Sequence, residues 1–279
     1  MKLVAFDMDG TLLNHSGDVS EETLRVLDLL TEKGIVLALC TGRAYESAQN
    51  IIKKIRLEEK GGYFCGMNGQ TIVSYRTHQH INKAGLTASQ IKKLVMYTEN
   101  KNVLSIVQKG NNMTAVYNRK KKWIVRLYQI VNHMFWIYRQ NDNYEIRTVL
   151  REELMPEGDE KVCFTGLPWT LRKIAEKIEA DYKEEYRCTF VSPFWMECQL
   201  SDITKGEALR IIAKLEGIDV SETMAFGDGE NDISMLQAAG LGVAVKNAMK
   251  KTRQIADDLC KENTKDGVAE YLKDYFSLT

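Results

Sequence analysis

The chain has no apolar run approaching the roughly 20 residues that a membrane span needs. It has only 3 prolines and no low-complexity tract, so no disordered linker separates its segments. Histidine is scarce, at 4 residues, and His15, His78, His80 and His133 share no partner pattern. They read as surface or packing residues rather than as a catalytic or metal-binding group. The 6 cysteines contain no Cys-x-x-Cys pair, and no His-Cys grouping offers a zinc site. Cys40, Cys65, Cys163, Cys188, Cys198 and Cys260 fall mostly inside apolar runs and read as buried free thiols. Net charge is missing as well. The 38 basic and 38 acidic side chains cancel, which argues against a nucleic-acid or membrane-surface partner held by a global field. An acid at Asp7, where a leader would still need apolar residues, argues against a signal peptide, so a cytoplasmic protein is expected.

What is present is a soluble, globular composition over 279 residues, 44% apolar and 27% charged, long enough for two domains or one large one. Lys2 to Phe6 is an apolar run too short for a helix and suited to a buried strand. It ends in Asp7-Met8-Asp9-Gly10-Thr11. Two carboxylates directly after a buried strand need a cation, hydrogen-bond donors or a shared proton. A plain strand-ending turn rich in Asp and Gly is the alternative.

The pattern then alternates. Ser20 caps a helix through Leu30 that Gly34 closes, and Ile35 to Cys40 is a second buried run ending at Thr41-Gly42-Arg43. A further helix covers roughly Ala44 to Ile55, and Asn68-Gly69 marks a tight turn between two strands. Strand, helix, strand, helix predicts a parallel sheet with right-handed crossovers. From about Lys83 the order becomes helix, strand, strand, then, after a long aromatic stretch, strand, helix, strand, strand. That predicts an α+β unit with its helices on one face of an antiparallel sheet. Parallel character returns after about Leu200. A helix runs from Lys205 to Leu215, and a strand over Thr223 to Phe226 leads into Gly227-Asp228-Gly229-Glu230-Asn231-Asp232. The expected division is a core of residues 1–82 and 200–279 with residues 83–199 inserted.

If the core strands are parallel and adjacent, Asp7, Asp9, Thr41, Asp228, Asn231, Asp232 and Lys205 all reach one sheet edge. Clustered carboxylates in oxygen-only company suit a hard cation such as magnesium. Lysine, threonine and asparagine suit the oxygens of a phosphoryl group.

With these four motifs in this order, the sequence resembles the haloacid dehalogenase superfamily of phosphohydrolases, in particular the Cof-type members with a large cap. The resemblance implies an α/β fold, with a Rossmann-like parallel-sheet core and an inserted α+β cap domain. It implies a magnesium-dependent phosphatase of small phosphorylated metabolites, such as sugar phosphates or phosphorylated cofactors, working as a monomer or weak homodimer. By the same resemblance Asp7 is the nucleophile that forms an aspartyl-phosphate, and Asp9 is the general acid and base, starting protonated. Magnesium is held by the Asp7 carboxylate, the Asp9 carbonyl and the Asp228 carboxylate, with Asp232 close behind. Thr41, Lys205 and Asn231 hold phosphoryl oxygens, with backbone N–H groups of Met8, Asp9 and Gly42.

Other readings stay beside these. A phosphotransferase such as a hexose phosphomutase shares every core motif, and a non-catalytic binding protein could keep the fold. Thr41 and Asp232 could be helix caps, Lys205 a solvated helix-start lysine, and Arg43 a structural residue. The Lys120 to Arg139 stretch, with Trp123, Tyr128, Phe135, Trp136 and Tyr138, reads as a core helix with a basic entry or as the wall of a pocket for a ring-bearing substrate.

Overall fold

The computed structural model describes residues 1–118, 123, 145–158, 161–182 and 184–278. The aromatic stretch singled out above lies, except for Trp123, outside the described residues. Two compact units emerge, one built from Met1–Lys83 together with the chain from Asp202 onward, the other from the described part of Ala84–Ser201.

In the first unit, β1 (Leu3–Asp7), β2 (Val36–Cys40) and β12 (Thr223–Gly227) are buried along their whole length. Apolar side chains on both faces of a strand require cover on both sides of the sheet, as in parallel α/β layers. The sheet order is β14 (Asp258–Cys260), β13 (Leu241–Val245), β12, β1, β2, β3 (Tyr63–Gly66), β4 (Thr71–Ser74) and β5 (His80–Asn82). The first six pair in parallel, and β4 pairs antiparallel with both β3 and β5. Phe6 pairs with Phe226, and Asp7 with Cys40, so β1, β2 and β12 end side by side. β1 continues to β2 on one side while β12 lies on the other. That reversal of strand order leaves a crevice at the carboxyl ends.

The covering helices are α1 (Glu21–Glu32), α2 (Tyr45–Lys54), α5 (Lys205–Leu215), α6 (Ile233–Ala238), α7 (Lys250–Ile255) and α8 (Gly267–Phe276). Ser20 caps α1 as expected, its hydroxyl accepting the Thr23 N–H at 3.1 Å. The short strands β5 and β14 and the short helix α7 are elements the sequence pattern does not announce. β5 is three residues long and largely exposed, so it carries no buried run to read.

In the second unit, α3 (Ala88–Met96) and α4 (Pro168–Tyr182) bury Ile91, Leu94, Leu171, Ile174 and Ile178 against one face of a sheet. That sheet runs β10 (Tyr186–Ser192), β11 (Trp195–Leu200), β9 (Lys161–Gly166), β6 (Val103–Lys109), β7 (Asn112–Tyr117) and β8 (Glu145–Leu150). Leu104, Ile106, Ala115 and Cys163 form a smaller apolar cluster on the other face. The expectation of an antiparallel sheet needs one correction, because β7 and β8 pair in parallel. The long segment 118–144 between them gives the chain length that a parallel return requires. Among the described residues, no helix is long and apolar enough to cross a membrane.

All six cysteines are free, and five are buried, with Cys188 only partly so. His15, His78 and His80 are exposed, while His133 lies outside the described residues.

Candidate active site

The crevice is built where β1 stops. After Asp7 the chain makes one irregular turn over Met8–Leu12, interrupted at Gly10 with φ 79°. A side chain at Gly10 would be strained by that backbone and would also strike the Asp228 carboxylate, 2.6 Å from the added carbon. The turn thus lies directly against the loop that follows β12. Thr11 fastens it, donating its hydroxyl to Asp228 Oδ1 at 3.2 Å. Asn247 fastens it again through Nδ2 to the Gly10 carbonyl at 2.7 Å.

Asp7 is 5% exposed and Asp232 and Lys205 are fully buried. Lys205 is the first residue of α5, whose N-cap Thr204 accepts the Glu207 N–H at 3.1 Å. Its ammonium donates to Asp7 Oδ1 and, at 2.5 Å, to Asp232 Oδ1. Burial opposes the charge on Lys205, but the Asp232 and Asp7 carboxylates outweigh it and push its pKa up. The surface alternative for Lys205 is therefore excluded.

Asp232 uses its other oxygen to accept the N–H groups of Asp228 and Gly229 at 2.9 and 2.8 Å. Both oxygens are thus engaged, which makes Asp232 an orienter of Lys205 and of the Asp228 loop. Asp7, Asp228 and Asp232 nonetheless form a carboxylate group whose oxygens lie within 4.8 Å of one another. Burial first, and then the Asp232 charge, raise the Asp7 carboxyl well above its usual range against the pull of Lys205. Burial and Asp232 also push the Asp228 carboxyl up to about 7. Three acids facing one ammonium leave an excess of negative charge, and an oxygen-only donor set of this kind fits a hard divalent cation.

The Asp9 side chain is not part of that group. It is held by Arg43, whose Nε and Nη2 donate to its two oxygens at 2.8 and 2.6 Å. Arg43 is therefore tied to the site, a role the sequence reading gave it only as structure. This two-point fork fixes the resting position of the Asp9 carboxyl beside Arg43. Thr41 is buried at the end of β2, its hydroxyl accepting the Arg43 N–H at 3.1 Å. The threonine thus shapes the Thr41-Gly42-Arg43 turn as a cap would. Asn231 lies in the turn that follows β12 and donates Nδ2 to Asn68 Oδ1 at 3.1 Å. Met8 is buried in the turn that follows Asp7, and Gly42 sits between Thr41 and Arg43.

All the residues named from the motifs thus gather at one rim, though not in one constellation. Asp7, Asp228, Asp232 and Lys205 share direct contacts, Asp9 pairs with Arg43, and Asn231 with Asn68. Thr11, Asn68 and Asn247 were missed as site residues. For Thr11 and Asn68 the motifs Asp-Gly-Thr and Asn-Gly carried the signal. Asn247 had none.

A family model described as haloacid dehalogenase-like hydrolase matches residues 4–272. YxeH of Bacillus subtilis (strain 168) is 31% identical over 269 residues, covering 96% of each chain. An HMP-PP phosphatase of Serratia proteamaculans is 30% identical over 277 residues, covering 98% of this chain and 94% of its own. Among solved structures, a haloacid dehalogenase-like hydrolase from B. subtilis superposes with a TM-score of 0.81 at 25% identity, over 98% of this chain and 99% of that one. An HAD subclass IIB sugar phosphatase gives a TM-score of 0.82 at 23% identity over the full length of both, a likeness of fold. The chain belongs to the haloacid dehalogenase-like hydrolases.

Proposed function

We propose that the chain is a phosphoric monoester hydrolase of small phosphorylated metabolites, acting with magnesium through an aspartyl-phosphate on Asp7. The observation that carries this reading is the buried meeting of Asp7 with Lys205 beside Asp228 and Asp232. A carboxylate and a phosphomonoester repel, and Lys205 lowers that repulsion at the attacking oxygen. Asp7, Asp228 and the Asp9 carbonyl would hold magnesium, which supplies further positive charge when bound.

In the first step an Asp7 oxygen attacks phosphorus, the ester P–O bond breaks, and the leaving oxygen takes a proton from Asp9. In the second step Asp9 accepts a proton from water, whose oxygen attacks phosphorus and releases inorganic phosphate and the Asp7 carboxylate. Arg43 holds Asp9 in the charged form that follows proton donation. Asp9 must leave that fork to carry a proton, so Arg43 sets where the acid rests between turnovers. Thr41, the Gly42 and Met8 N–H groups and Asn231 receive the remaining phosphoryl oxygens. We assign residues 84–201 as the inserted α+β cap domain.

Relatives support the substrate class. One is an HMP-PP phosphatase, and another, 27% identical over 287 residues, is a 5-amino-6-(5-phospho-D-ribitylamino)uracil phosphatase from B. subtilis. The test is a panel of phosphate esters with magnesium, assayed for free phosphate with wild type and Asp7→Asn side by side. The variant is expected to lose at least about 10⁴-fold in turnover, the scale of removing a nucleophile. A variant that keeps wild-type turnover overturns the assignment.

A further inference from the structure

The turn after β3 is unusual. Met67, Asn68 and Gly69 are three successive residues with positive φ, at 52°, 59° and 107°. Left-handed backbone is costly for a residue with a side chain, and it persists only where the surroundings fix it. The surroundings here are the candidate site. The Met67 N–H donates to the Arg43 carbonyl at 2.9 Å and the Asn68 N–H to the Thr41 carbonyl at 2.9 Å. The Asn68 side chain is 5% exposed and its Oδ1 lies against Gly42 while accepting Nδ2 of Asn231 at 3.1 Å. β3 and β12 are separated in the sheet by β1 and β2. One buried side chain therefore joins the loop after β12 to the loop after β2, on either side of the strand that carries Asp7.

We infer that Asn68 is a positioning residue for phosphoryl recognition. It fixes the Asn231 carboxamide and holds the Thr41-Gly42 turn in register with it, so that groups from two strand ends act as one set. This rests on the reading above that Thr41, Gly42 and Asn231 hold phosphoryl oxygens. A free asparagine amide has several rotamers and hydrogen-bonds water as readily as phosphate. Held by Asn68 through one N–H, it keeps its second N–H in one direction, and binding then needs less ordering. A turn that merely required an asparagine for its backbone would gain nothing from the bond to Asn231.

Glycine at this position separates the two roles, because it accepts positive φ but deletes the acceptor. The experiment is a cycle of Asn68→Gly, Asn231→Ala and the double variant in the full chain with magnesium. Calorimetry reads the dissociation constant of inorganic phosphate, and thermal melting reads folding. Asn68→Gly is expected to weaken phosphate binding about tenfold, and to add less than about twofold in the Asn231→Ala background, since coupled sites are not additive. Should Asn68→Gly fail to fold, Asn68→Ser takes its place in the same cycle, with the same loss of coupling expected. Unchanged phosphate affinity in the Asn68 variant, while Asn231→Ala weakens it, overturns the inference, as do effects that multiply in the double variant. Unchanged affinity in Asn231→Ala overturns instead the phosphoryl-binding role of Asn231 on which the inference stands.

Discussion

Lys205 is the residue most dependent on its company. An ammonium taken wholly out of water costs several kcal/mol before any partner is counted, on the order of magnitude seen for buried ions. Asp7 and Asp232 supply that partner, and Asp232 is held in turn by two backbone N–H groups. The carboxylates have the converse difficulty. Without a cation, folding favours the protonated form of Asp228, and that contribution is complete below its ordinary value of 3.8 and lost as pH rises through about 7. Asp7 is shifted in the same direction. Chelated protein is therefore expected to melt at lower temperature at about pH 8 than at about pH 6, and magnesium to restore more at the higher pH. Scanning calorimetry at both pH values checks this, and an equal gain from magnesium at both would contradict it. Asp9 gives a second residue-scale prediction. Asp9→Asn is expected to lower turnover by about 10²–10⁴-fold for alkyl phosphates and far less for aryl phosphates whose leaving groups need no proton. Equal losses on both, measured as kcat across a leaving-group series, would remove the acid role.

At the scale of elements, α5 is the part that must be placed best, because its first turn carries Lys205. Its second residue, Gly206, lies where an added carbon would stand 2.1 Å from the Ser234 carbonyl of α6. The backbones of α5 and α6 meet there with no room for a methyl group. Gly206→Ala is expected to force the helices apart, to cost about 1–3 kcal/mol of stability and to lower turnover with it. Denaturant unfolding and a steady-state assay on one preparation check both. The helix itself was legible over Lys205 to Leu215, and so were β1, β2 and β12 from their short apolar runs, whereas the Thr204 cap came only with the structure. The turn at Met67–Gly69 read only as a hairpin tip. Its backbone bonds to Thr41 and Arg43 join residues far apart in the chain, and no local pattern encodes them.

At the scale of the molecule, the ends of the core where residues 84–201 leave it lie together. Lys83 Nζ donates to the Asp202 carbonyl at 3.0 Å. Each unit has its own buried apolar cluster. Replacing residues 84–201 by a short Gly/Ser linker is therefore expected to leave a core that unfolds in one cooperative transition and still hydrolyses an activated aryl phosphate. Loss of cooperative unfolding in that truncated protein, followed by circular dichroism, would show that the core needs the inserted unit to fold.

Composition, strand runs and the four acidic and polar motifs settled the α/β core and placed Asp7, Thr41, Lys205, Asp228 and Asp232 at or just beyond the ends of its elements. Those signals are local, since a buried strand and the loop after it are written in consecutive residues. Only tertiary structure decided that Lys205 is buried between two carboxylates, that Arg43 grips Asp9, and that Asn68 reaches Asn231. It also turned β8 parallel to β7. Each of these depends on segments brought together by strand order and helix packing, and charge, distance and burial exist only once those segments meet.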